Sequence, residues 1–521
     1  MTDGATGGPA TAGHDGPRNV VLVLLDSLNR HLLGAYGSDE FATPTLDAFA
    51  EGAVRFTNHQ TGSLPCMPAR HDLLVGSLDF LWRPWGSIEI WEEPLTVPLR
   101  RAGVTTKLVT DHPHLFETGG ENYHVDFTAW DYQRGHEGDL WRTAPDPSWI
   151  GAPTVSFGRG HTPYDDSRTW FAGEADLPGP RTMAAAARWL DQEAPAAERF
   201  LLVVDEFDPH EPFDTPEPYR SMYDPDWDDE PLVWPPYSPA GVASGTITAR
   251  QGRQIRAQYG AKLTMIDHWF GEVLAAVDRA GRAEDTAVIV CTDHGHYLGE
   301  KDIWGKPGVP VHGTLGHIPL LVRWPGVAAG ERRALTTTVD LHATVLDVFG
   351  ADPPSHRTHG RSLVPLLEGA VDDDLHAVRD WALTGVWGRE VVLVDGRWRY
   401  VRGPVGEHNA PLSMWSNRWS TMPVHQLPDL RLPRPDDRAR LDRMPGSDVP
   451  VIRQPFGPGD PLPYWALTRF RGNLAFDTEV DPLENEDRAG EAIEGHLAEH
   501  LRTAMVELEA PDDQLERLGL G

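Results

Sequence analysis

Asn19-Val20-Val21-Leu22-Val23-Leu24-Leu25-Asp26 is an unbroken apolar run that stops on a carboxylate. A strand without polar alternation is buried on both faces, the pattern of a parallel sheet covered by helices on its two sides. The same reading recurs outward along the chain. Residues 104–109 form a second such strand and lead into Asp111-His112-Pro113-His114; residues 200–205 end on Asp205, and residues 287–291 deliver Asp293 and His294. Residues 318–322 add another strand. Between them lie helical segments at 43–52, 181–192 and 338–349. A longer helix shows one apolar face through Ile255, Tyr259, Leu263, Ile266, Phe270, Val273, Leu274 and Val277. Strands alternating with helices, with polar residues just past the strand ends, predict an α/β fold. Its large, mostly parallel central sheet is flanked by helices and carries the site along one edge.

From about residue 370 the pattern changes. Residues 391–394 and 398–401 flank Asp395-Gly396, a hairpin signal. The stretch 403–465 is rich in Pro, Asp and Arg with weak periodicity and reads as a long excursion, and 492–508 closes the chain as a helix. The expected division is a disordered tail at 1–18, a main α/β domain at 19–370, and a smaller C-terminal α+β part at 371–521 containing an antiparallel sheet.

With 521 residues, 40% of them hydrophobic, the chain has ample material for a large core. A net charge of −32 argues against nucleic acid or an anionic membrane as partner, and any anionic substrate must be held by local cations. Of 46 basic residues only four are lysine: Lys107, Lys262, Lys301 and Lys306. Two cysteines cannot build a disulfide framework, and the Gly/Ala/Thr-rich start carries no apolar signal region, so a cytoplasmic location is expected. The run 20–25 is too short to cross a bilayer.

One of those cysteines lies in Cys66-Met67-Pro68-Ala69-Arg70, followed by Leu73-Leu74-Val75-Gly76, which reads as the start of a short amphipathic helix. Pro68 suits a first helical turn, which places Cys66 at a helix N-terminus where free N–H groups favour an anion. Arg70, one turn on, can reach back towards residue 66. The bottom-up reading is a nucleophile beside an anion cradle.

At this pentapeptide the chain resembles the type I sulfatases of the alkaline phosphatase superfamily, and the resemblance recurs in order from Asn19 to about Asp487. In that family C-x-P-x-R directs oxidation of the cysteine to formylglycine, an aldehyde that works as its hydrate. Many members have Ser where this chain has Ala69. The resemblance implies a formylglycine-generating enzyme as a maturation partner and a small-molecule or carbohydrate sulfate ester as substrate.

A hard divalent cation needs several rigidly held oxygen ligands, and Asp26 and Asp293-His294, each at a strand tip, are suitable donors. The family's first strand usually ends Asp-Asp; here it ends Asp26-Ser27, and the missing second acid resembles relatives such as phosphonate monoester hydrolases and choline sulfatases, which place a non-acid there. The implied metal set is Asp26, residue 66, Asp293 and His294, with Ca²⁺ as first choice and Mn²⁺ or Mg²⁺ as alternatives. Asp208-Pro209-His210-Glu211-Pro212-Phe213 resembles the family's D-P-H-x-P-F segment, and Trp304-Gly305-Lys306 matches its sulfate-binding W-G-K. A lysine suits anion binding, and a histidine suits proton transfer near neutrality.

Departures occur where relatives carry G-K-x-H: this chain has Asp111-His112-Pro113-His114 and lacks that lysine. His114 is the first choice for the family's catalytic histidine and His112 the competitor, or a substrate contact. His312 and His317 replace the Glu and Arg of the family's Y-E-x-x-x-R-V-P and read as substrate contacts or as packing. Phe80, Trp82, Trp85, Ile88, Ile90 and Trp91 wall a ring-binding pocket or pack the core. The implied mechanism has one hydroxyl of the hydrated residue 66 attack sulfur while Arg70, Lys306 and the metal offset charge. His210 or Lys306 then protonates the departing alcohol, and a histidine deprotonates the second hydroxyl to expel sulfate. Phosphonate monoester or phosphodiester hydrolysis with the same nucleophile, and a silent binding protein of this fold, are the alternatives.

Overall fold

The computed structural model describes residues 16–148, 160–422, 435–445 and 447–521. Most of the expected N-terminal tail, and 423–434 within the excursion, lie outside the described residues. The central sheet is built from β1 (Asn19–Leu25), β2 (Val54–Gln60), β3 (Thr105–Thr110), β4 (Ala129–Tyr132), β5 (Phe200–Glu206) and β6 (Thr286–Cys291). A short ribbon, β7 (Tyr297–Leu298) and β8 (Trp304–Gly305), separates these from β9 (His317–Arg323), β10 (Gly330–Arg332) and β11 (Thr336–Thr337). The order across the sheet is β10-β2-β9-β6-β1-β5-β3-β4, with β11 also beside β2. All pairings are parallel except those of β9, which runs antiparallel to both neighbours.

The alternation of side chains across a strand explains why β1 is apolar throughout. Val21, Val23 and Leu25 join a core on one face with Ile255, Tyr259 and Leu263 of helix Ala249–Arg279 and with Met183 of helix Pro178–Gln192. Val20, Leu22 and Leu24 join a second core on the other face with Leu73 and Leu74 of helix Cys66–Val75 and Leu341 and Val345 of helix Thr338–Phe349. β5 and β6 split in the same way. Helices on both faces leave neither side of the sheet to water.

Helix Cys66–Val75 departs from the amphipathic reading: every residue from Cys66 to Val75 is buried. It is wedged between the sheet and helix Thr338–Phe349, so it has no solvent face.

Beyond residue 380, β12 (Ala382–Gly385), β13 (Val391–Val394), β14 (Trp398–Arg402) and a last strand, β18 (Asn473–Asp477), form an antiparallel sheet. The expected hairpin is present, with Gly396 in its turn at φ 91°. The excursion holds a second antiparallel sheet that periodicity did not reveal: β15 (Leu412–Ser416), β16 (Arg440–Arg443) and β17 (Pro450–Phe456). Its strand β16 is mostly exposed and reads Arg-Leu-Asp-Arg, so no apolar alternation marks it. No helix among the described residues is long and apolar enough to cross a membrane.

Candidate active site

Four parallel neighbours, β6, β1, β5 and β3, end on the same edge of the sheet and present acids there: Asp293, Asp26, Asp205 and Asp111. β2 ends on that edge too, and the chain continues through Thr61 and the cis Leu64–Pro65 bond to Cys66, first residue of its helix. Gly76, in the left-handed region at φ 78°, ends that helix by donating its N–H to Asp72 O at 2.9 Å.

Asp26, Cys66, Asp293 and His294 each place one ligand atom within 4.8 Å of the others, and all four are buried. Cys66 Sγ lies 3.3 Å from His294 Nε2. The other ring nitrogen, Nδ1, faces Gly295 O at 2.9 Å, which orients the imidazole. Burial pushes the His294 pKa down to about 4, so its ring is neutral near pH 7. Burial, then the nearby Asp26, pushes the Cys66 thiol well above its usual range.

Arg70 joins the carboxylates. Its Nε and Nη2 grip Asp205 at 3.1 and 2.7 Å, Nη2 also meets Asp26 Oδ2 at 2.9 Å, and Nη1 meets Asp293 Oδ2 at 2.9 Å. Nη1 also reaches back to Cys66 O at 3.2 Å. Burial opposes this charge, but Asp205, Asp26 and Asp293 outweigh it and hold Arg70 protonated. Asp293 is likewise held well below the carboxylate range: His294 and Arg70 overcome its burial. Asp26 is pushed well above that range by burial and by Asp293.

Ser27 takes a left-handed backbone, φ 62°, at a cost of about 1–3 kcal/mol for a non-glycine residue. That bend lets its N–H donate to Asp293 Oδ1 at 3.0 Å and its hydroxyl to Asp26 Oδ1 at 2.8 Å. Lys306 arrives from the β7–β8 ribbon. Gly305 before it has φ 71°, and a Cβ there would lie 2.3 Å from the Tyr237 ring. Lys306 Nζ stands 3.6 Å from Cys66 Sγ, 3.4 Å from Ser27 Oγ and 2.7 Å from His210 Nε2. Burial, with Lys306 adding to it, pushes the His210 pKa down to about 3.

The two histidines after β3 separate clearly. His112 Nε2 is 3.7 Å from Asp26 Oδ2, and neither of its ring nitrogens has a hydrogen-bond partner among the described residues. His114 is clamped between Glu117 and Glu137, the latter at 3.2 Å, and these carboxylates overcome burial to raise its pKa to about 10. Of the two, His112 turns its ring towards Asp26, while His114, the first choice from sequence, turns between two carboxylates. His312 Nδ1 pairs with Glu484 at 2.8 Å and His317 Nε2 with Thr57 O at 2.8 Å, so both tie segments of the fold together.

Sequence reasoning passed over Asp205 as a site residue. Its signal was the one used for Asp26 and Asp293, an acid at the tip of an apolar strand. It also passed over Glu211, whose carboxylate receives Tyr237 OH at 2.6 Å and lies 3.2 Å from His296 Nε2, fixing the turn that carries His210.

A sequence profile described as Sulfatase matches residues 18–351, most of the chain. The chain belongs to the sulfatase family. It is 27% identical over 414 residues to a choline-sulfatase of Rhizobium meliloti (strain 1021), covering 74% of this chain and 78% of that protein. It is 24% identical over 425 residues to arylsulfatase K of Homo sapiens, covering 74% of each. In fold it is similar to a phosphonate monoester hydrolase of Agrobacterium radiobacter, with a TM-score of 0.64, 20% identity and 95% of each chain covered.

Proposed function

We propose that this sulfatase-family enzyme hydrolyses a sulfate ester through residue 66, oxidised from cysteine to formylglycine, with a divalent cation held by Asp26, Asp293, His294 and residue 66. The protein is a sulfuric ester hydrolase. The observation that carries the finer reading is the convergence of Cys66, Asp26, Asp293 and His294 within 4.8 Å, beside Arg70 and Lys306.

The residues suit the cation. Two carboxylates and a neutral imidazole supply its ligands, and three buried acids, Asp26, Asp205 and Asp293, outnumber the one guanidinium among them. Burial, then the neighbouring Asp293, raises the Asp26 pKa in the same place. When bound, the ion lowers the pKa of an oxygen nucleophile and polarises the sulfuryl group; Ca²⁺ is the first choice. Hydrated formylglycine supplies one hydroxyl for attack and a second through which sulfate is expelled. A plain cysteine is ill suited to this role, because a thiol has no second hydroxyl through which sulfate could be expelled. Cys66 is also 3% exposed, so its oxidation precedes folding around the site.

The remaining groups divide the work. Lys306 and Arg70 balance charge on the sulfuryl oxygens. Lys306 carries a proton at Nζ against neutral His210 Nε2, and this pair hands it to the departing alkoxide. His112, kept neutral by burial and by Arg70, is the base for the second hydroxyl.

The test is to co-express the chain with a formylglycine-generating enzyme, determine the mass of the peptide containing residue 66, and assay sulfate release from 4-nitrophenyl sulfate. Phenylphosphonate is assayed in parallel. An active enzyme whose residue 66 remains a thiol would falsify the nucleophile; faster turnover of the phosphonate would replace sulfate by phosphonate as the substrate class.

A further inference from the structure

Resting on the proton transfer given above to His210 and Lys306, we propose that Lys262 is a positioning residue for protonation of the departing alcohol. Through Asp208 it fixes the turn that keeps His210 Nε2 against Lys306 Nζ. Lys262 is one of only four lysines in the chain and sits within helix Ala249–Arg279, 1% exposed. An ammonium is strongly hydrated and is buried at that depth only against a partner. Its partner is Asp208. Lys262 Nζ lies 2.8 Å from Asp208 Oδ1, and His136 Nε2, from the loop after β4, meets the same oxygen at 2.7 Å. Asp208 stands two residues before His210, so the clamp on its carboxylate sets where the histidine begins.

The turn is held from every side. Behind Asp208 the start of helix Pro178–Gln192 leaves no room: a Cβ on Gly179 would lie 2.3 Å from Asp208 Oδ2 and 2.5 Å from Glu206 Oε1. Two of its N–H groups are also tied, that of Asp208 to Glu206 Oε1 at 3.1 Å and that of Phe207 to Asp111 Oδ1 at 2.8 Å. The Phe207 ring stacks on His210, with centroids 4.2 Å apart, and meets His136 edge-on at 4.7 Å. His210 Nδ1 faces Glu211 O at 2.8 Å, which leaves Nε2 for Lys306. Asp111, Glu206 and Asp208 are wholly buried, and each keeps one oxygen without a hydrogen-bond partner among the described residues. The charge of Lys262 acts on all three. Without it, buried carboxylates repel one another directly beneath the histidine. A proton donor displaced by about 1 Å can lose on the order of 10²-fold in rate.

The test compares two esters on enzyme carrying the modified residue 66. Phenyl sulfate releases a basic phenoxide that needs a proton, and 4-nitrophenyl sulfate releases an anion that leaves without one. Lys262→Met is made alone and together with Asp208→Asn, which leaves no unpaired charge on Asp208 and so separates folding from function. Both forms should lose about 10–100-fold in kcat/KM on phenyl sulfate and less than about threefold on 4-nitrophenyl sulfate, with the metal retained. His210→Gln should show the same selective loss, and adding Lys262→Met to it should cost less than about twofold more, because both act on one step. An equal loss on the two esters in both Lys262→Met forms, or a further tenfold loss on top of His210→Gln, overturns the positioning role and leaves the sulfatase reading standing. An equal loss on the two esters in His210→Gln removes the donor role and this proposal with it. Failure of the unmutated enzyme to cleave either ester removes the sulfate-ester reading as well.

Discussion

Among the described residues, two clusters gather metal-ligating side chains within 4.8 Å: Asp26, Cys66, Asp293 and His294 at the sheet edge, and His71, Asp79 and Glu92 on and after helix Cys66–Val75. By residue type and spacing they look alike. They differ in what already occupies the ring nitrogens. In the second cluster Arg83 places Nε 2.5 Å from Asp79 and Nη2 2.9 Å from Glu92 and 2.8 Å from His71 Nε2. Asp79 and Glu92 overcome burial to raise the His71 pKa, and its Nε2 is already met by Arg83 and Glu92. At the sheet edge burial keeps His294 neutral, with Nδ1 turned to a carbonyl and Nε2 facing residue 66. A metal ligand needs a free lone pair, not merely the right atom nearby. The second cluster reads as a closed ion network and the first as a centre ready for a cation and a nucleophile.

The largest effect expected from this contrast is at the nucleophile. Cys66→Ser should lower kcat by more than about 10³-fold while one divalent ion per chain remains by elemental analysis. Turnover close to wild type would end the case for residue 66. The contrast is sharpened by a paired comparison. Asp293→Asn should lose the metal and the activity together. Arg83→Met should keep the metal but lower unfolding stability by about 3–5 kcal/mol, because it strands buried carboxylates. Metal loss on Asp79→Asn would erase the distinction between the clusters. Asp205→Asn removes the bidentate grip on Arg70 and should lower kcat about 10–100-fold, with the melting profile showing whether the fold survives.

The smallest expected effect is on the pH dependence of stability. His114 has a folded pKa of about 10, raised above the value near 6.5 of an unfolded chain. Its pairing with Glu117 and Glu137 therefore stabilises fully below about pH 6.5 and is lost as pH rises towards 10. Melting temperature should fall over that window by a few degrees more in wild type than in His114→Gln. Parallel curves for the two proteins would show that the clamp contributes nothing.

The strands, the long helix, the C-terminal hairpin and the edge on which the site lies were legible because they rest on local periodicity. Asp26, Asp293, His294, Cys66 and Lys306 were legible because each stands directly after an apolar strand or inside a short motif. The antiparallel run of β9 was not, since a buried strand looks the same in either direction. Nor was the choice between His112 and His114. Two residues apart, they differ only in that one ring turns towards Asp26 and the other between Glu117 and Glu137.

By itself the chain determined which segments bury both faces, and so which acids end up at strand tips and that a helix begins at residue 66. Those outcomes follow from hydrophobicity and backbone geometry over a few neighbouring residues. Tertiary structure alone decided which acid grips Arg70 and which imidazole keeps its lone pairs. The reason is that Cys66 meets His294 across 228 residues and Arg70 meets Asp205 across 135, and a protonation state depends on burial and on charges that no local pattern records.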